Sequence, residues 1–259
     1  SSSDAVDPAP RVDLETQIAH ARTVIAKTVA TTQKVAFVGH SIGALVALDC
    51  LASPPDAVAE HRIAAAVAVT PFLAANDAQA VYRAKKRVVG SPVLKRLLLV
   101  ASRVLRLVPF ASRRRLMAAL GQPTAHMDAV AADLSVDAMT RASNLRAMLD
   151  MAASEFVSPR ILDGPDLRWL ERGHRDKVSF VYATGRDDWV RPEDPAAMRD
   201  SGVHCVDIDA NHDVCTRVDT SVACARVVAD FLQPRLMPKE GTRASRPPPA
   251  APPSGRRQQ

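Results

Sequence analysis

The sequence predicts an α/β fold: a parallel sheet flanked by helices, with a large helical insertion. Three observations predict it. Short apolar runs that do not alternate, such as "VAFV" from Val35 and "IAAAVAVT" from Ile63, read as strands covered on both faces. Helix-period segments separate these runs, as they do when crossover helices join parallel strands. Between the second and third runs lie about a hundred residues with helical periodicity and no strand pattern, a cap over one end of the sheet.

The elements follow in chain order. Arg11 to Ala30 places Val12, Ile18, Ala21, Ile25 and Val29 near helical period. Lys34 to Gly39 is the first strand, and Ile42 to Ala52 a helix stopped by "SPPD". Ile63 to Thr70 is the second strand, ended by Pro71. The insertion, about residues 72–176, reads as helices over Ala75 to Val88, Pro92 to Val108, Arg113 to Leu120, Asp128 to Met139 and Leu145 to Phe156. Lys177 to Tyr182 is the third strand, Pro195 to Asp200 a short helix closed by Gly202, and Val203 to Ile208 the fourth strand. Thr216 to Leu232 is the last helix. Residues 11–232 then form one domain, between a disordered N-terminus at 1–10 and a disordered, Pro-rich, basic tail at 233–259.

Composition narrows the function. Of 259 residues, 47% are hydrophobic and 24% charged, enough to build a sizeable core. No uncharged apolar run reaches the ~18 residues of a membrane span. Cys50, Cys205, Cys215 and Cys224 show no metal or disulfide spacing, which favours a reducing compartment. Neither a metal-ligand cluster, nor a phosphate-binding loop, nor an aromatic-basic stripe for nucleic acid occurs, so no metal, cofactor or nucleic-acid partner is expected. The net charge of +6 is unevenly placed. Val81 to Leu116 holds eleven Lys and Arg and no acid, which suggests an anionic surface partner.

One stretch carries chemistry. In "KVAFVGHSIGALVAL", Ser41 stands between Gly39 and Gly43 where a strand becomes a helix. Strand–G-x-S-x-G–helix is the nucleophile elbow: a strained serine, two glycines leaving room for close strand–helix packing, and a hydroxyl raised over the strand ends. The helix N-terminus and the amide of Ile42 then face developing negative charge. A serine needs a base, and the elbow predicts the chain order Ser, acid, His. Asp187, in "ATGRDDWV", follows the third strand, with its neighbour Asp188 as the competing acid. Of seven histidines, His212 in "DANHDVC" has the expected place after the last strand, whereas His40 is expected to pack beside the nucleophile or line its pocket.

The segments "LETQIAHARTVI", "VGHSIGALVAL", "SPVLKRLLLVASRVLRLVP", "LRAMLDMAASEF", "ATGRDDWV" and "NHDVC" together resemble the lipid droplet-associated hydrolase family of α/β-hydrolases, from about Arg11 to Leu232. The resemblance implies a partial α/β-hydrolase fold and a serine hydrolase of lipid esters, with Ser41 as nucleophile, Asp187 as acid and His212 as base. It implies action at lipid droplets and the cytosolic face of the endoplasmic reticulum membrane. The basic cap is the expected docking surface on its own residues. Over Pro92 to Phe110, Arg96, Arg103 and Arg106 fall on one side of a helix and Leu94, Leu97, Leu98, Ala101, Leu105 and Val108 on the other. That pattern suits a helix lying in a lipid interface or, equally, leucines packed on the core. The Asp187-Asp188-Trp189 sequence departs from an Asp-Gly-Trp pattern in the family. Nothing before Arg11 resembles the family's first strands and the loop that supplies a second oxyanion amide, so a fragment or a truncated product is expected, with strand Lys34–Gly39 as an open edge. A second reading is a protein that binds the droplet surface with a vestigial site.

Overall fold

The computed structural model describes residues 13–29, 33–56, 58–119, 127–164, 170 and 173–237. The expected N-terminal segment and most of the expected tail lie outside them. Helix α1 (Leu14–Thr28) starts at an Asp13 cap, whose carboxylate accepts from the Thr16 amide at 2.8 Å. Strand β1 (Val35–His40) leads through Ser41 into α2 (Ile42–Ala52), and β2 (Ile63–Val69) follows. The insertion contains α3 (Ala80–Gly90), α4 (Pro92–Arg106), α5 (Phe110–Ala119), α6 (Ala129–Thr140), α7 (Ala142–Val157) and the short α8 (Pro159–Leu162). The chain then returns to β3 (Val178–Ala183), α9 (Asp194–Asp200), β4 (His204–Ile208) and α10 (Val218–Leu236).

The four strands form one parallel sheet in the order β1-β2-β3-β4. Every carboxyl end therefore points the same way, and the loops that follow β1, β3 and β4 meet at one rim. Two apolar layers hold the sheet. One joins Phe37, Ala66, Ala68, Phe180 and Tyr182 to α1, α2 and the insertion. The other joins Ala65, Val67, Val69, Val181 and Ile208 to Cys224 and Phe231 of α10. Fully buried side chains such as Tyr82, Phe72 and Phe180 contribute roughly 1.5–3 kcal/mol each.

Two expectations need correction. Strand β1 is not covered on both faces: Val38 is 53% exposed, because the α10 layer gathers side chains of β2, β3 and β4 and none of β1. Among the described residues β1 is an edge strand, its outer side unpaired. The last helix also runs on to Leu236, past Pro234. Arg235 anchors that final turn by donating to the Phe231 and Asp176 carbonyls and lying 3.7 Å over the Phe231 ring. These contacts offset the hydrogen bond that Pro234 cannot donate.

Candidate active site

The site begins with the turn between β1 and α2. Ser41 has φ 55° and ψ −123°, a conformation uncommon for a residue with a side chain. Its amide donates to the Val69 carbonyl at 3.0 Å, and its carbonyl accepts from the Ala44 and Phe72 amides at 3.0 and 3.1 Å. Gly39 is needed because a Cβ there would sit 1.9 Å from the Gly43 carbonyl oxygen. Gly43 is not needed for the same reason, since a Cβ on it meets nothing within 4 Å. The expectation that both glycines make room holds for the first alone. The Ile42 amide opens α2 and has no partner within that helix, so it is available to an oxyanion beside Ser41.

The loops after β3 and β4 are zipped together. The Gly185 amide donates to the Ala210 carbonyl at 2.9 Å, the Arg186 amide to Asn211 Oδ1 at 2.9 Å, and the His212 amide to the Arg186 carbonyl at 3.0 Å. A Cβ at Gly185 would lie 2.6 Å from both Ala210 O and Asn211 Oδ1, so only glycine allows the approach. This zipper delivers His212 and Asp187 side by side at the β1 turn. His212 Nε2 lies 2.9 Å from Ser41 Oγ, and Nδ1 lies 2.9 Å from Asp187 Oδ1. The ionised carboxylate can only accept, which puts the ring proton on Nδ1 and leaves Nε2 to accept from the serine hydroxyl. Both side chains are largely buried.

Asp188 takes no part in this contact. Its carboxylate turns outward to Arg186 Nε at 3.0 Å. Asp187 Oδ1 also accepts from the Trp189 and Val190 amides at 3.0 and 3.2 Å, closing a tight turn on itself. His40 packs against the His212 ring and its Nε2 meets the His212 carbonyl at 2.8 Å, joined there by Thr70 Oγ1 at 3.0 Å. Burial pushes the His40 value below its ordinary range, so the ring is neutral and donates.

The arrangement is that of an activated serine: hydroxyl, imidazole and carboxylate in line, with a helix N-terminus beside them. Residues 1–218 match the family described as lipid-droplet associated hydrolase. The chain belongs to the lipid-droplet associated hydrolase family.

No curated protein matches this member of the lipid-droplet associated hydrolases. Among solved structures, one of a candidate epoxide hydrolase from Pseudomonas aeruginosa is similar, with a TM-score of 0.56 and 14% identity over 89% of this chain and 76% of that one. A mutant of that bacterial protein with bound MFA gives the same score and identity over 90% and 77%. These likenesses are of fold. In the lipid-droplet associated hydrolase chain, the sequence pointed to Ser41, Ile42, Asp187 and His212, and the structure brings all four to one rim. Sequence reasoning missed Gly185, Asn211, Thr70 and Asn76. Gly185 alone carried a signal, as a glycine just after a strand.

The insertion meets the site through aromatic rings. Trp189 lies 5.9 Å from the His212 ring and packs on Phe72, Tyr82 of α3 and Phe156 of α7, at 5.1 to 6.0 Å. Lys85 Nζ covers the outer face of Trp189 at 4.2 Å.

Proposed function

We propose that this chain is a serine hydrolase of lipid esters, of the sterol ester or acylglycerol type, acting by acyl-enzyme chemistry at the surface of lipid droplets or the endoplasmic reticulum. One observation carries the reading: the unbroken contact from Ser41 through His212 to Asp187 on a serine held at φ 55°. Ser41 Oγ attacks the ester carbonyl while His212 Nε2 accepts its proton. Asp187 holds the imidazole in place and stabilises its cation, and the Ile42 amide donates to the oxyanion. His212 then protonates the departing alcohol. Water, deprotonated by His212, attacks the acyl-serine, and the proton returns to Ser41 as the fatty acid leaves.

The lipid surface is supported by α4. This helix packs inward only through a narrow face that includes Leu99 and buried Ser102, and it leaves Val93, Leu97, Val100, Val104 and Leu107 in solvent. Leu97 is 60% and Leu107 85% exposed. Arg96 and Arg103 border that face. A leucine- and valine-rich strip edged by arginines suits a helix lying in a phospholipid interface, apolar side down. Among the described residues no helix is long and apolar enough to cross a membrane.

The test is chemical. A fluorophosphonate probe should label Ser41, and Ser41→Ala should abolish both labelling and ester turnover, by about 10⁴-fold or more. Turnover of emulsified long-chain sterol and glycerol esters should exceed that of soluble short-chain ones. A folded protein that binds lipid vesicles but takes no label would be a surface-binding protein instead.

A further inference from the structure

Three loops carry the catalytic side chains, and one short segment touches all of them. We infer that residues 70–76, directly after β2, register the three loops against one another, and that Asn76 is the positioning residue for the Asp187 carboxylate. The inference rests on the hydrolase reading above.

The contacts are specific. Thr70 donates through Oγ1 to the His212 carbonyl at 3.0 Å. The Phe72 amide donates to the Ser41 carbonyl at 3.1 Å. Asn76 Nδ2 donates to the Asp188 carbonyl at 3.3 Å and to the Val190 carbonyl at 3.0 Å. Each of the three residues thus bonds the loop of a different member of the Ser41, His212, Asp187 set. The segment is itself rigidly held. Thr70 is fully buried, its amide donates to Val181 O at 2.7 Å, and its φ of 38° is unusual for a β-branched residue. The Ala75 amide donates to Ile161 O at 2.8 Å, tying the segment to α8.

Asn76 has the clearest single role. Asp187 Oδ1 accepts from His212 Nδ1 and from two amides of its own turn, so the carboxylate moves with that turn. Asp187 Oδ2 is buried and accepts no hydrogen bond among the described residues, so it does not hold the turn. The turn must therefore be held from outside, and the Asn76 amide holds it on the carbonyls of Asp188 and Val190. Asn76 is 1% exposed, and its Oδ1 has no hydrogen-bond partner among the described residues. A buried side chain that satisfies its donors and leaves its acceptor empty is placed for what it donates.

The experiment reads the His212–Asp187 hydrogen bond directly, through the low-field proton NMR signal of His212 Nδ1–H, alongside steady-state kinetics. Asn76→Asp and Asn76→Leu keep the approximate volume and remove the donor. Both should weaken or lose the low-field signal, and kcat should fall by about tenfold or more with KM within about twofold. Thr70→Val, which acts on a different loop, should broaden the same signal and lower kcat, and it carries the test if the Asn76 variants do not fold. Ser41→Ala should keep the signal. Folded variants at both positions with wild-type signal and kcat would overturn the inference. A wild-type protein that shows the low-field proton but takes no fluorophosphonate would overturn the hydrolase reading and leave the positioning role standing.

Discussion

At the residue scale, the two elbow glycines and the two adjacent aspartates look alike in sequence and differ in the fold. Gly39→Ala drives a Cβ into backbone at 1.9 Å, and neither carbonyl nor turn can yield without moving Ser41. It should cost about 3 kcal/mol or more and abolish labelling of Ser41. Gly43→Ala places its methyl in open space on the first turn of α2 and should be neutral or stabilise by up to about 1 kcal/mol. Urea midpoints of the two variants check the contrast. Asp187→Asn should reduce kcat by about 10⁴-fold, because the amide favours the wrong imidazole tautomer. Asp188→Asn loses a partly exposed pair with Arg186 and leaves the His212 contact untouched, so it should stay within a few-fold of wild type. Equal losses in the two would show that the acid assignment is wrong.

At the element scale, α4 is the part whose surroundings do not explain its composition. Several basic residues of the insertion turn toward acids or polar groups nearby: Lys95 to Asp150, Arg106 to Asp137, Arg114 to Asp133 and Arg113 to Thr140. Among the described residues, the charge that remains beside the apolar strip is that of Arg96 and Arg103, fewer than the run of arginines in the sequence suggests. The exposed apolar strip is displaced from the expected one: Val93, Leu97, Val100, Val104 and Leu107 lie in solvent, whereas Leu105 and Val108 are half-buried. Replacing Leu97, Val100 and Val104 by Ser should release the protein from vesicles that carry anionic phospholipid, at unchanged turnover of a soluble ester. Arg96→Gln with Arg103→Gln should weaken binding and reduce its salt dependence, by roughly 1 kcal/mol for each arginine. Vesicle flotation measures both. Retention of the apolar variant, together with release on removal of residues 238–259, would place docking on the tail instead.

At the scale of the whole molecule, a buried acid in the insertion makes stability depend on pH. Glu155 of α7 lies inside the molecule, its Oε1 lacks a hydrogen-bond partner among the described residues, and burial pushes its value up from 4.5 to about 7. The neighbouring Tyr82 hydroxyl is likewise buried and pushed up to about 12, so it stays neutral. The folded protein therefore keeps a proton on Glu155 that the unfolded chain releases. Stability should fall as pH rises from about 4.5 through about 7, by on the order of 3 kcal/mol. His40 works in the opposite sense: its value is lowered by burial, so its contribution is lost as pH falls below the ordinary 6.5. Glu155→Gln should remove the fall between pH 5 and pH 8 while leaving the His40 contribution. Urea midpoints at the two pH values measure it, and an unchanged difference in the variant would show that Glu155 is not the source.

The sequence by itself determined the elements whose signals are local. Helix α2 begins and ends where the apolar pattern and "SPPD" place it, and β2 agrees to within one residue, because an unbroken apolar run and a proline stop act over a few neighbours. The order Ser41, Asp187, His212 was legible because each follows a recognisable strand. Where prediction slipped, tertiary contacts had taken the residues. Helix α3 starts at Ala80 rather than Ala75, since 75 and 76 are engaged with Ile161, Asp188 and Val190. The choice of Asp187 over Asp188, the exposure of the α4 strip and the burial of Glu155 were likewise decided only in three dimensions. Asn76 and Asp188 stand 112 positions apart. A hydrogen bond across that separation leaves no periodicity in the chain, because it depends on where the fold returns and not on which residues are adjacent.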